Sequence, residues 1–201
     1  MHGLIPPHGG TLVNRVADPE RAETLRKEAT SLTRIKLSPK QSCDLEMIGI
    51  GAFSPLPGFM GSADFESVCR SMKLASGDIW PIPILLSVDR PDAPRVGDRV
   101  ALHAPNGVLQ GVMSVEEVFP HDKKTEIPSV FRTEDEAHPG VAQVMCEGDT
   151  CLAGPVDVIT VCVDPEGPEA FLDSRLTPAQ TRERFRDRGW KTIAEIGRAH
   201  D

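Results

Sequence analysis

Four side chains have the chemistry of a zinc centre: His138, Cys146, Cys151 and Cys162. Their spacing lacks the close cysteine pairs of a structural zinc knuckle. Val161-Cys162-Val163 reads as apolar strand, where a buried thiol is ordinary. The pattern therefore argues against a metal site. A phosphate cradle fares no better. There is no Walker A sequence, and Gly-x-Gly occurs only as Gly49-Ile50-Gly51. Pro55 and Pro57 follow it and remove the amide donors that hold phosphate at a helix N-terminus. His8-Gly9-Gly10 has the look of an esterase oxyanion loop, but no Gly-x-Ser-x-Gly elbow accompanies it. His8 then reads as a hydrogen-bonded turn residue. A basic cluster remains: Arg182, Arg184, Arg186, Arg188 and Lys191. Helical residues two apart diverge by about 200°, so the arginines do not share a face. Glu183 and Asp187 interleave, as on a solvated, ion-paired helix. The functional reading of that helix is a docking surface for another domain or for an anionic ligand.

The elements that would position such groups are marked by caps and turns. Asp18-Pro19 opens a helix whose stripe is Ala22, Leu25, Ala29 and Leu32. Arg34 to Leu37 is a short strand. Ser38-Pro39-Lys40-Gln41 forms a capping box, and Leu45 and Ile48 face one way behind it. Gly49 and Gly51 end that helix. The loop from Gly51 to Gly61 must bury Phe53, Leu56, Phe59 and Met60. Ser62 is expected to cap a helix with Phe65, Val68, Cys69 and Met72 on its buried face, which makes Cys69 a core residue.

Leu12-Val13 is expected to begin a strand. Ile79 to Val88 reads as an edge or bulged strand, because Pro81 and Pro83 lack amide protons. Asn106-Gly107 predicts a type I′ hairpin between Arg99–Ala104 and a return strand, Val108–Phe119, bent at Gly111. His121 to Pro128 reads as a polar loop and His138-Pro139-Gly140 as a turn. Thr150-Cys151 leads through Gly154-Pro155 into an apolar strand, Val156–Val163. Asp164 to Ser174 is a linker, and Thr177 with Gln180 caps a last helix that Gly189 ends. Short strands, Gly/Pro turns and capped helices without regular alternation indicate an α+β fold with a strongly bent or barrel-like sheet.

Composition narrows the partners. The net charge is −8 and aromatic residues make up 4% with no tyrosine, so nucleic acid and anionic membrane are poor partners. The longest apolar run, Ile82 to Leu86, contains Pro83 and is far too short to span a bilayer. Met1 to Pro7 lacks the basic start and apolar core of a signal peptide. Five irregularly spaced cysteines do not make a disulfide framework, and reduced cytoplasmic thiols are expected.

Six segments, in order, carry a resemblance. They are PHGGTLVNR (Pro7–Arg15), IGAFSPLPGFMG (Ile50–Gly61), WPIPI (Trp80–Ile84), DEAHPGV (Asp135–Val141), LAGPV (Leu152–Val156) and LTPAQTRERFRDRGWKT (Leu176–Thr192). Together they resemble ATP sulfurylase (sulfate adenylyltransferase) in its N-terminal, PUA-like domain. The resemblance implies a PUA-like β pseudobarrel with several peripheral helices over residues 1–172. Residues 173–201 would be a linker helix and the truncated start of a catalytic domain. That catalytic domain opens with Gln-x-Arg-Asn-Pro-x-His-x-x-His, whose glutamine and arginine hold sulfate and whose histidines act at the ATP phosphates. Here Arg198-Ala199-His200 matches only the tail of that motif, and Gly197 stands at its first histidine. The expected catalytic, substrate-binding and metal residues of this chain are therefore none. Its own cofactor is none, with Mg-ATP belonging to the parent enzyme, and the chain is expected to be inactive alone. Two other readings stay open: an RNA-binding PUA-type module, and a partner that docks on a separately encoded catalytic chain through Arg182 to Trp190. Homo-oligomerisation is open as well.

Overall fold

The computed structural model describes residues 4–89, 94–161 and 175–194. In order along the chain the elements are α1 (Pro19–Ala29), β1 (Thr33–Lys36), α2 (Pro39–Gly49), β2 (Gly58–Phe59) and α3 (Ser62–Ser71). There follow β3 (Leu86–Val88), β4 (Arg99–His103), β5 (Leu109–Ser114), β6 (Glu117–Pro120), α4 (Lys123–Phe131), α5 (Pro139–Met145), β7 (Thr150–Val158) and α6 (Pro178–Asp187). The fold is α+β: one seven-stranded mixed sheet, curled on itself, with helices around it.

Strand β7 is the hub. Its first half pairs with β3 through Leu86 to Val88 and with β6 through Glu117 to Pro120. Its second half pairs with β5, and Gly154-Pro155 at its centre pairs with β2. The sequence reading starts the strand at Val156, after Gly154-Pro155, whereas β7 begins at Thr150. The structure instead runs one strand through both residues. Gly154 makes this possible with φ 147, a region closed to ordinary side chains, and a Cβ there would stand 2.0 Å from the Ser114 carbonyl oxygen. The expected end of the strand, beyond Val161, lies outside the described residues, as does the 164–174 linker.

The core is the concave side of the sheet. Leu45 and Ile48 of α2, Phe65 and Val68 of α3, and Leu56, Phe59 and Met60 of the loop pack there against Leu86, Met113, Leu152 and Val158. On the opposite face α1 lays Leu25 and Ala29 on Ala101 and Val112. The loop's apolar groups are thus buried as their type demands, with Phe53 partly covered.

Several local expectations are corrected. The Leu12-Val13 strand shrinks to a single parallel bridge, Val16 to Val158, in which the Val158 amide donates to the Arg15 carbonyl and the Ala17 amide to the Val158 carbonyl, both at 2.8 Å. Of Ile79–Val88 only the last three residues pair in the sheet; the Pro81 and Pro83 stretch stays off it. The return strand breaks after Ser114, and the bulge falls at Gln110, between the Leu109 and Gly111 partners of β4. The hairpin is not type I′, since Gly107 has φ 88 while Asn106 is not left-handed. Gly107 N–H closes a turn onto the Ala104 carbonyl at 2.8 Å, with Pro105 and Asn106 inside it.

Gly61, not Ser62, is the cap of α3; the Ser62 amide and hydroxyl both donate to the Glu117 carboxylate, at 3.0 and 2.5 Å. Met72 leaves the α3 face through a left-handed backbone, φ 54, and is exposed. His121–Pro128 is mostly helix: Asp122 accepts the Thr125 amide and opens α4, which tolerates Pro128 inside it. His138 is likewise a helix cap rather than a turn, with Pro139 opening α5.

Close approach of β2 to β7 yields a first prediction. A Cβ on Gly58 would lie 1.9 Å from the Gly154 carbonyl oxygen, which is backbone and cannot rotate away. Gly58→Ala should cost at least about 3 kcal/mol, read as a fall in the urea midpoint at unchanged slope. An unchanged midpoint would contradict the pairing of β2 with Pro155 and Gly154.

Candidate functional site

A polar concavity lies where the start of α2 meets β3 and the turn between α5 and β7. It encloses about 590 Å³ and is lined by Lys36, Lys40, Gln41, Ser87, Cys146 and Glu147, among others. The α2 capping box builds one wall. Gln41 Oε1 accepts the Ser38 amide at 2.9 Å, while its Nε2 donates to the Ser87 carbonyl at 2.8 Å. One buried amide thereby fixes both the helix start and β3. Lys40 Nζ lies 2.8 Å from Asp44 Oδ2 one turn along. Burial disfavours the Lys40 charge, yet Asp44 more than compensates, and the ammonium sits above its ordinary range. Burial raises Asp44 as well, against the pull of Lys40. Burial, then the Glu126 charge, holds the Glu147 carboxyl above its ordinary range.

Behind the concavity is a buried clasp. His121, at the end of β6, presents Nδ1 to the Gly148 carbonyl at 3.1 Å and Nε2 to Glu126 Oε2 at 2.6 Å. A carbonyl only accepts, so Nδ1 carries a proton. The short Nε2 to Oε2 contact needs a second one, which makes this an imidazolium–carboxylate pair. Burial opposes the imidazolium, but the hydrogen bond and charge of Glu126 prevail and raise its pKa above the ordinary 6.5. The clasp ties β6, α4 and the α5–β7 turn. Lys123 supports the same turn by donating to the Glu147 carbonyl and by pairing with Asp149 at 2.8 Å.

The arrangement holds charge without releasing it for chemistry. Elsewhere Arg15 and Arg21 converge on Asp157 at 3.0 and 2.8 Å, and Arg99 pairs with Glu28. The residues singled out by sequence are scattered. His138 caps α5, Cys146 is exposed at its end, and Cys151 is a buried strand thiol pushed up to about 12, chiefly by burial. Cys162 lies outside the described residues, and no group of three or more metal-ligating side chains occurs among those described. Cys69 is a core thiol, also pushed up to about 12 by burial. His8 bonds the Ile79 carbonyl at 2.8 Å as a turn residue would. Gly49 packs its Cα side on Val158, and Gly51 is left-handed. On α6, Arg182 reaches the Ile5 carbonyl and Arg188 stacks over Trp190 at 4.9 Å. His200 lies outside the described residues. Sequence reasoning missed the His121 clasp; the Asp122-x-x-Thr125 cap, with Glu126 one residue on, was its available signal.

The clasp fixes a pH dependence. A histidine whose pKa is raised on folding stabilises fully below its unfolded value, 6.5, and loses that contribution as pH rises through the folded value. The stability gap between the native chain and His121→Gln should therefore be widest in acid of 6.5 and shrink on the alkaline side, in urea titrations at a series of pH values. A gap independent of pH would rule out the charged pair.

Comparison with known proteins gives a consistent picture. The chain is similar to the sulfate adenylyltransferase of Synechococcus sp. (strain JA-3-3Ab), 44% identical over 205 residues, covering 98% of this chain and 51% of the relative. It is similar to that of Hyperthermus butylicus, 44% identical over 190 residues, covering 94% of this chain and 47% of the relative. The chain thus spans about half the length of the curated relatives it matches. Among solved structures it resembles a hexameric APS kinase from Thiobacillus denitrificans, with a TM-score of 0.69, 33% identity, and coverage of 93% of this chain and 32% of that one. No described helix is long and apolar enough to cross a membrane. Residues 5–161 match the PUA-like domain family, and with them the curled sheet and most of its core, so the chain belongs to that family.

Proposed function

We propose that this chain is the N-terminal, PUA-like part of a sulfate adenylyltransferase system. In this reading residues 1–172 are the PUA-like domain, and residues 173–201 are a linker region, with α6 at Pro178–Asp187, and the start of a catalytic region. The parent reaction joins ATP and sulfate into adenylyl sulfate and pyrophosphate, with magnesium on the nucleotide. The observation that carries the reading is the match to sulfate adenylyltransferases over 98% of this chain but 51% of the relative. This chain's role is then to support chemistry done by residues elsewhere, in the same assembly or in a separate catalytic chain. Four free thiols among the described residues suit a reducing, cytoplasmic setting.

Charge geometry supports inactivity alone. Bringing sulfate against a nucleotide phosphate needs donors fixed on both anions and on the leaving pyrophosphate. Here Lys40 is committed to Asp44, Arg15 and Arg21 to Asp157, and Arg99 to Glu28. An arginine already neutralised by a carboxylate cannot also neutralise a transferring phosphate at full strength.

The purified chain, given sulfate and Mg-ATP, should release no pyrophosphate above a heat-killed control. Turnover that follows the chain through purification would overturn this reading.

A further inference from the structure

The polar concavity has one side that is held rigidly and yet left unsatisfied. Glu147 stands in the turn between α5 and β7, and its backbone is pinned in place. Lys123 donates to its carbonyl, and the next residue, Gly148, gives its carbonyl to His121 Nδ1 at 3.1 Å. Gly148 also packs so closely on β3 that a Cβ there would lie 2.2 Å from the Val88 carbonyl carbon. The Glu147 carboxyl, by contrast, has one long hydrogen bond, from the Ser87 hydroxyl to Oε2 at 3.4 Å. That hydroxyl accepts from Gln41 Nε2 at 3.2 Å, which leaves its own proton for Glu147. Oε1 has no donor among the described residues. Lys40, whose charge acts on Glu147, gives its contact to Asp44 instead. A carboxyl partly removed from water and given no cation is a costly group, and burial with the Glu126 charge holds it above its ordinary range. The side built by β1 and α2 carries the reverse charge. Lys36 ends β1 and lines the same concavity, and its ammonium has no partner among the described residues. Its strand is fixed on β4, with the Leu37 amide on the His103 carbonyl at 2.8 Å. Lys36 and Glu147 share about 590 Å³ of space and form no ion pair with each other.

We propose that this concavity binds a small zwitterion of the amino-acid class, whose α-ammonium meets the Glu147 carboxylate and whose carboxylate meets Lys36. Charge complementarity selects the class. A simple anion is repelled by Glu147 and Asp44, and a simple cation by Lys36 and Lys40. A neutral molecule leaves both unpaired charges as they were. A ligand with one charge of each sign satisfies both, and the space admits a side chain as well. Because the backbone on both sides is already fixed, little ordering is needed on binding. The interaction is one of binding alone, with no bond made or broken.

The test is an NMR titration of the full chain with each standard amino acid in turn, following the backbone amides of Lys36, Lys40 and Glu147. At least one amino acid should shift all of them saturably. Acetate and ethylamine, which carry one charge each, should bind at least about tenfold more weakly than that amino acid. Glu147→Gln and Lys36→Met should each weaken it by about tenfold or more. Lys36 is exposed, so its variant keeps the test open even if Glu147→Gln fails to fold. Lys73→Met, an exposed lysine away from the concavity, should leave Kd unchanged. The absence of a saturable shift with every amino acid would overturn the site. An unchanged Kd in Lys36→Met would overturn it as well. Acetate or ethylamine binding as tightly as the amino acid would overturn the zwitterion and leave a site for a simple ion.

Discussion

Four of the other six strands of this sheet are registered directly on one strand. Residues Thr150 to Val158 pair with β3, β6, β5 and β2, and Val158 also bridges Val16 near the start of the chain. A strand has only two edges, so four partners can be served only if it changes neighbours along its length. Gly154 is where the change happens. Its backbone, at φ 147, bends the strand, and without a Cβ it lets the Ser114 carbonyl come close. Pro155 beside it has no amide to leave unpaired at the bend. The curl of the sheet, and hence the concave side that holds the core, follows from that one substitution of partners.

The polar interior extends the same logic. Gln110 is the extra residue of the β5 bulge, fully buried, and it exchanges hydrogen bonds with Ser42 of α2 at 2.7 and 2.8 Å. Gln41, one residue earlier on that helix, holds Ser87. Two adjacent positions of α2 thus read the register of two different strands. Asp157, on β7, collects Arg15 and Arg21 and so anchors the chain's first segment to the hub. Buried polar groups of this kind add little net stability when satisfied, but a shift of register by one residue would leave them all unpaired.

Local chemistry was legible in the sequence and long-range chemistry was not. The caps at Asp18, Ser38 and Thr177 act within three residues, and each opens its helix in the structure. The burial of Leu56, Phe59 and Met60 follows from residue type alone. The hub strand was hidden because Gly154-Pro155 has the composition of a turn, and only its neighbours reveal why a glycine is needed there. Pro128 concealed α4, since a proline inside a short helix costs one hydrogen bond that the Asp122 cap and the burial of Ile127 offset. The His121–Glu126 clasp went with it, for it exists only once that helix forms. Exposure of Met72 depends on a left-handed residue at the end of α3, which no periodicity encodes.

The position of the hub near the end of the domain has a consequence for biosynthesis. β3, β5 and β6 each pair with it, and only β1, β4 and β5 can assemble among themselves beforehand. On the ribosome the sheet therefore stays open until residue 158 has cleared the exit tunnel. During that interval Leu86, Met113 and the loop around Phe59 lack the Leu152, Val156 and Val158 side of their core. Long-range pairing of this kind concentrates sheet closure in one late step.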